Sequence, residues 1–325
     1  MVPTTRTSVE VARPRFRHVL RRGTADRSTR LGTVTTSRLP VTVIIPCFND
    51  GSTVDTSVQS ALESNVSETI VVDDGSTDLA TRERLEAHRR RGVTVVRIDN
   101  SGPAAARTHA LQQVSTPYVF NLDADDELLP GALSRLYDVI SQDPSLDVVW
   151  GDYSMFGERS YTHRTSERID GWLLTFVNDL PVSALFRTDS LRAVGGWRVG
   201  GYEDWDLWMS FAERGTTGRR VPVPVFRYRT RPSSAMRGRA RDESRHDSVF
   251  AALRARHASL FEHRTQAWLR SDAPLLVRIT LPIAAAVPVS GRRRIVLLWR
   301  AHRIVRRFDR RSRRASAVGL LCGTP

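Results

Sequence analysis

Apolar residues in the first third of the chain come in short unbroken runs, not in alternation. Residues 41–45 read Val-Thr-Val-Ile-Ile, residues 69–72 Thr-Ile-Val-Val, residues 93–98 Val-Thr-Val-Val-Arg-Ile, and residues 118–122 Tyr-Val-Phe-Asn-Leu. β-Branched runs of this length predict strands covered on both faces, as in a parallel sheet. Between them the period lengthens. Val54, Val58, Ala61 and Leu62 fall at helical spacing within 52–64, residues 79–91 predict a polar helix, and residues 102–113 a helix of small residues. The order β-α-β-α-β-α-β at this spacing predicts an α/β fold: a doubly wound, Rossmann-like, mostly parallel sheet flanked by helices. Beyond residue 130 the regularity loosens. Residues 133–141 and 207–211 read as helical and 148–150 and 223–226 as strands, and five of the seven tryptophans lie from Trp150 to Trp208.

Polar clusters follow each of the four early strands, at 46–50, 73–78, 100–102 and 123–127. Ligands of open α/β sheets sit beyond the carboxyl ends of the strands, so the four clusters point to one crevice. Asp123, Asp125 and Asp126 crowd together there. Either a hard divalent cation holding phosphates offsets their repulsion, or they form an acidic loop capping the next helix. Asp74, before Gly75, either accepts a nucleobase N–H or belongs to a turn whose Ser76 or Thr77 caps a helix. Arg107 lies one turn into a helix that Pro103 opens, within reach of a pyrophosphate or on the surface. Glu203-Asp-Trp-Asp206 precedes a helical stretch. Its carboxylates either answer the helix dipole or include a general base for a hydroxyl. Trp197, after Gly195 and Gly196, is a platform for a sugar face or a core residue. Arg227-Tyr-Arg-Thr-Arg231 reads as a basic loop able to clamp phosphates.

Charge changes the picture only once it is located. The net charge is +14. Residues 1–39 carry nine arginines against Glu10 and Asp26, and residues 291–325 eleven against Asp309. Taking those +7 and +10 away leaves residues 40–290 at −3. Basicity confined to the ends, with no recognised module or aromatic interleaving, argues against nucleic-acid binding. Every basic residue is arginine, a bias that points to GC-rich bacterial coding DNA. Cys47 and Cys322 have no metal or disulfide spacing, which predicts a reducing, cytosolic setting. The N-terminus is rich in Arg, Ser and Thr and formally resembles a transit peptide; a disordered tail is the blander reading. No apolar run is long enough to span a membrane, since 275–289 is short and holds Arg278, Pro282 and Pro288. Ile295, Leu298, Ala301, Ile304, Val305 and Phe308 fall at helical spacing among Arg300, Arg303, Arg306 and Arg307. That basic amphipathic helix either meets an anionic membrane or packs on the domain with a solvated Arg face.

Taken in order, these segments resemble glycosyltransferase family 2, whose fold is GT-A. The resemblance runs from about Val41 to about Ser234. It is carried by Val43-Ile-Ile-Pro-Cys-Phe-Asn49, Ile70-Val-Val-Asp-Asp-Gly-Ser-Thr-Asp78, Asn100-Ser-Gly-Pro-Ala-Ala-Ala-Arg107, Leu122-Asp-Ala-Asp-Asp126, Val194-Gly-Gly-Trp197 and Glu203-Asp-Trp-Asp-Leu-Trp208. It implies transfer of a sugar from a nucleotide-sugar to an acceptor hydroxyl, with inversion, in cell-envelope glycan, polysaccharide or glycolipid synthesis. It further implies that Pro46, Asn49 and Asp74 line the nucleoside site, that Arg107 lies near the nucleotide, and that Asp123 faces the ribose or donor sugar. Asp125 or Asp126 would bind Mg²⁺ or Mn²⁺, and Asp204 would be the base. Trp197, Glu203 and Arg231 remain candidates for the acceptor or phosphate. Arg231 stands where many relatives carry His, and Thr108 where many carry Asn. The expected division is a basic tail (1–39), a GT-A domain (40–235) with a nucleotide half (40–130) and an aromatic-rich acceptor half (131–235), a helical extension (236–290), and a basic amphipathic helix and tail (291–325). The expected partners are a nucleotide-sugar and a glycan or lipid-linked acceptor, with peripheral contact at the inner face of the cell membrane. A nucleotide-sugar-binding protein of the same fold without turnover is the alternative.

Overall fold

The computed structural model describes residues 38–158, 160–198, 200–230, 243–289 and 291–308. The expectations for residues 1–37, Arg231 and 309–325 lie outside these. The described residues all belong to one compact unit. The four early runs are strands β1 (Leu39–Cys47), β2 (Val66–Asp74), β3 (Thr94–Ile98) and β4 (Tyr118–Asn121), alternating with α1 (Val54–Glu63), α2 (Leu79–Arg90) and α3 (Pro103–Gln113). β1 starts two residues earlier than the apolar run predicts, at Leu39, whose amide donates to the Asn65 carbonyl at 2.8 Å. All pairings among these strands are parallel, with Ile44 opposite Ile70 on one side and Asn121 on the other. Successive β1 side chains feed different cores. Val41, Val43 and Ile45 pack with α1, while Ile44 packs with α3. The unbroken apolar runs therefore reflect a sheet covered on both faces.

The second half adds β5 (Glu127–Leu128), α4 (Ala132–Gln142), β6 (Val148–Gly157), β7 (Tyr161–His163), α5 (Gly171–Leu174), β8 (Leu185–Arg187), α6 (Thr188–Ala193), α7 (Glu203–Glu213) and β9 (Gly218–Thr230). The sheet order is β3-β2-β1-β4-β8-β6-β9-β5, with β7 on β6. The short β8 runs antiparallel to both β4 and β6 and joins the halves. β9 is longer than its apolar signal, so Arg227 and Arg229 lie on a strand, not in the expected loop. The tryptophans of this half are core: Trp150, Trp172, Trp197, Trp205 and Trp208 are all buried. Trp150 meets Trp208 edge-on at 5.3 Å between ring centroids.

The chain then forms α8 (Glu243–Arg256), α9 (Ala258–Glu262), α10 (Arg264–Arg270), α11 (Leu275–Ala286) and α12 (Gly291–Phe308). α12 buries Leu298, His302 and Val305, one face at i, i+4 and i+7. Leu298 and Val305 join a third apolar cluster with Val277 and Leu281 of α11 and with Trp172, Leu173, Phe176 and Val177. This face of the basic helix is spent on the domain. Among the described residues no helix is long and apolar enough to cross a membrane.

Candidate active site

The first wall of the crevice is built by loops that hold one another. Asn49, just past β1, takes a left-handed backbone with φ 56°. Its carbonyl oxygen accepts the amides of Thr77 and Asp78, both at 2.9 Å, and its amide group donates to the Thr77 hydroxyl at 3.2 Å. Asn49 thus clamps the 76–78 loop. Asp74 is buried, and its two carboxylate oxygens accept the Ser101 and Gly102 amides, each at 2.8 Å. Its geometry is that of a brace for the 100–102 loop. Gly75 is required between them: at φ +73°, a Cβ there would lie 2.8 Å from the Asn100 nitrogen. The α2 cap is neither Ser76 nor Thr77. Asp78 accepts from the amides of Ala80 and Thr81, because a carboxylate two residues before an orphan amide reaches it directly. Pro46, partly exposed, closes the end of β1. Beside it Cys47 is buried, and burial followed by the Asp50 charge pushes its thiol up to about 12. It stays neutral and unreactive.

The acidic loop follows β4 and is held from α1. The Ser57 hydroxyl donates to the carbonyls of Asp123 and Asp126, at 3.2 and 2.6 Å, and the Ser60 hydroxyl accepts the Leu128 amide at 3.1 Å. Neither serine stood out in the sequence, where both read only as polar helix positions. The three aspartates part company. Asp123 accepts from Arg107 Nη2 at 2.7 Å. Asp125 stays partly exposed. Asp126 is buried under β9, where one oxygen accepts the Arg229 amide at 2.9 Å and the other has no hydrogen-bond partner. Burial first, then the charges of Asp123 and Asp125, raise its carboxyl well above the usual range. Asp126 is thus tied inward to β9, and Asp125 is the member of the expected pair that reaches solvent. Arg229 also donates to the Asp125 carbonyl at 3.0 Å and stacks on Phe156. Arg227 pairs with Glu127 at 2.7 Å.

The opposite wall is the start of α7. Tyr202 precedes it in a left-handed conformation, φ 52°, and turns the chain so that Glu203 and Asp204 open the helix. Asn178 donates to Asp204 at 3.1 Å while its own carbonyl accepts the Leu180 amide at 3.1 Å. Burial, then the Glu203 charge, lifts the Asp204 carboxyl to about 6; the Trp205 amide and Arg107 limit the rise. Arg107 spans the two walls. It is buried, with Nε on Asn121 at 3.1 Å, Nη2 on Asp123, and Nη1 3.5 Å from Glu203. Burial works against its charge, but Asp123 and Glu203 outweigh that and raise its pKa. Arg107 is an internal counter-ion to both walls, and its Nη1 makes no hydrogen bond. The Tyr228 phenol on β9 is raised by burial and then by Asp126, Asp123, Asp125 and Asp204, so it stays a neutral hydroxyl among the carboxylates.

Two expectations change here. Trp197 packs edge-on against Phe186 at 6.0 Å, and its carbonyl accepts the Thr108 hydroxyl at 2.7 Å. It is core and offers no platform to an acceptor; Thr108 serves as its tie. Asp206 faces away from the crevice. It meets Arg198 at 3.1 Å, Arg256 at 2.5 Å and His257 at 3.2 Å, and His257 reaches Glu213 at 2.7 Å. Burial alone would raise Asp206, but these partners lower it. It anchors α7 to the end of α8.

A curled, mostly parallel sheet flanked by helices, with an acidic strand-end loop on one wall of its crevice and the start of α7 on the other, has the GT-A architecture of its structural neighbours. Residues 42–195, just under half of the chain, match the model of Glycosyl transferase family 2. It is 42% identical over 106 residues to the succinoglycan biosynthesis protein ExoU of Rhizobium meliloti (strain 1021), covering 32% of this chain and 30% of that one. It is 28% identical over 137 residues to the minor teichoic acid biosynthesis protein GgaA of Bacillus subtilis (strain 168), covering 39% and 31%. The chain thus spans under a third of the length of these two relatives. The S. aureus TarS 1-349 crystal structure in complex with UDP-GlcNAc superposes with a TM-score of 0.53 at 17% identity, covering 80% of this chain and 79% of that one. The likeness establishes the shared fold.

Proposed function

We propose that this domain transfers a sugar from a nucleotide-sugar to an acceptor hydroxyl, inverting the anomeric carbon in one displacement. The observation that carries the reading is Asp204. It is a carboxylate at the crevice wall, tied by Asn178, with its pKa brought to about 6, near where a base has both the right protonation state and the strength to act. Asp204 accepts the acceptor's hydroxyl proton as the oxygen attacks C1 of the sugar. The C1–O bond to the diphosphate breaks on the opposite face, and its electron pair leaves with the diphosphate. Arg107 keeps Glu203 and Asp123 neutralised beside the base. The nucleoside lies along Pro46, with Asn49 and Asp74 shaping its wall through the loops they brace.

Family 2 glycosyltransferases are commonly dependent on a divalent cation. Among the described residues no group of three or more potential ligands surrounds a point. Mg²⁺ usually needs only one or two carboxylates when phosphates complete its shell, so the partly exposed Asp125 fits as its protein ligand. Bound Mg²⁺ or Mn²⁺ would offset charge on the departing diphosphate. The raised Asp204 favours turnover over the alternative of a non-catalytic binder, since binding alone needs no base. The names of the relatives support acceptors in envelope glycan synthesis. A glycan or lipid-linked acceptor and a peripheral place at the inner membrane face belong to the same reading.

The test screens UDP-, GDP- and dTDP-sugars with Mn²⁺ for binding and for release of nucleoside diphosphate. One donor is expected to bind and turn over, and Asp204→Asn to keep binding while losing turnover. Failure of every donor to bind, with or without the ion, would overturn the proposal.

A further inference from the structure

The solvent face of α11 breaks the rule that an exposed helix face is polar. Leu275, Leu276, Ile279, Ile283 and Val287 are 61%, 51%, 47%, 64% and 37% exposed. At 100° per residue they fall in one arc, and Pro282 and Ala286, also exposed, fill the gaps in it. The inward face holds Val277 and Leu281, both fully buried. α11 is therefore apolar on both sides, and only one side is covered by the domain. The outer stripe is about 18 Å long at the helical rise per residue. Beside it opens a cleft of about 440 Å³ lined by Trp172, Phe176, Trp268, Pro282 and Ala285, so apolar surface continues inward from the stripe.

Charge decides what covers this face. From Leu275 to Phe308 the chain has eight arginines and no carboxylate. Arg293, Arg294, Arg300 and Arg303 on the adjoining α12 are exposed. A second copy related by a two-fold axis would set this cationic surface against itself. A bilayer carrying anionic headgroups supplies hydrocarbon for the stripe and opposite charge for the arginines.

We infer that α11, not the Arg-rich α12, is the element that enters the membrane interface: its outer face seats among the acyl chains of an anionic bilayer while the α12 arginines meet the headgroups. This rests on the peripheral-membrane part of the proposed function and names the surface that performs it. The same helix pair packs on Val177, next to the Asn178 that holds Asp204. The docked surface is thus continuous with the element that positions the base.

The test is flotation of the full chain with phosphatidylglycerol–phosphatidylcholine vesicles, with phosphatidylcholine vesicles as control. Wild type is expected to float with the anionic vesicles. Ile279→Glu/Ile283→Glu is expected to lower the bound fraction about tenfold or more by placing charge in the acyl region. Leu275→Gln/Leu276→Gln, on the same exposed face, serves as a second variant should the first lose its fold by circular dichroism. Arg293→Gln/Arg294→Gln is expected to weaken binding and make what remains less sensitive to salt than wild type; unchanged binding and salt dependence would count against the headgroup role of these arginines. If wild type floats and both α11 variants float equally, the assignment to α11 falls and membrane contact stands. If wild type does not float, both fall, while donor turnover in solution judges the transferase reading separately. A wild-type dimer that the α11 variants convert to monomer without vesicles would make the face an interface between copies and overturn the inference.

Discussion

Replacing Asp204 by Asn should make the protein more stable at neutral pH while abolishing transfer. The folded chain raises this carboxyl from its ordinary 3.8 to about 6, first by burial and then by Glu203. Between those two pH values the folded state keeps a proton that the unfolded chain has released. Stability therefore falls as pH rises through that window, and above about pH 6 the full penalty is present. A shift of about two units corresponds to about 3 kcal/mol at about 1.4 kcal/mol per unit. Partial contact of Asp204 with the crevice brings the expected gain to about 1–3 kcal/mol. Asn keeps the volume and an oxygen for the Asn178 amide, and Arg107 retains Asp123 and Glu203, so no buried charge is orphaned. Urea unfolding of both proteins at about pH 7.5 and about pH 4 separates the effects: the variant gains at the higher pH and matches wild type at the lower one. Equal stability at the higher pH, or the same difference at both, would refute the account. On the wild type, kcat/KM should fall about tenfold per unit below about pH 6, as the base becomes protonated.

Two further substitutions test how the crevice is divided. Asp126→Asn should keep donor binding and lie within about 1 kcal/mol of wild type at neutral pH, because Asn mimics a neutral buried carboxyl; Asp125→Asn should lose the cation dependence of donor binding, measured by calorimetry with and without Mn²⁺. Asn178→Ala should cost about tenfold in kcat/KM, the worth of a hydrogen bond to a carboxylate, and move the acid limb of the pH–rate profile upward, leaving donor KM unchanged; an unmoved limb would make Asn178 merely structural.

The early strands were legible because burial on both faces writes itself as unbroken β-branched runs, and the polar strand ends follow from the same topology. β7 and β8 were not legible, since three residues carry no period. Asp74, Asn49 and Arg107 stood out in the sequence as candidates, but what each touches depends on segments meeting across the sheet, with sequence separations from 14 residues for Arg107 and Asn121 to 96 for Arg107 and Glu203. The tryptophans were misread because a one-dimensional pattern does not say whether an aromatic faces solvent or a second layer of helices. One distinction was available and unused. Asp204 and Asp206 lie two positions apart at the start of α7, and residues so spaced on a helix do not share a face. When one faces the crevice, the other must face away, as Asp206 does toward Arg198, Arg256 and His257.

The position of Arg107 bears on how the proposed reaction manages charge. Its guanidinium is committed to Asn121, Asp123 and Glu203 inside the domain. Removing it would leave two carboxylates facing each other across the crevice at low dielectric, where an unpaired charge is costly. A diphosphate entering beside Asp123 and Asp125 brings further negative charge, and on the proposed reading drawing Arg107 fully toward it would uncover Glu203 next to the base. An uncovered Glu203 would raise Asp204 further and push its working range above neutral pH. On the proposed reading the leaving group's neutralisation falls to a divalent ion at Asp125, the carboxylate of the acidic loop that stays partly exposed and is not tied to β9 through its side chain as Asp126 is.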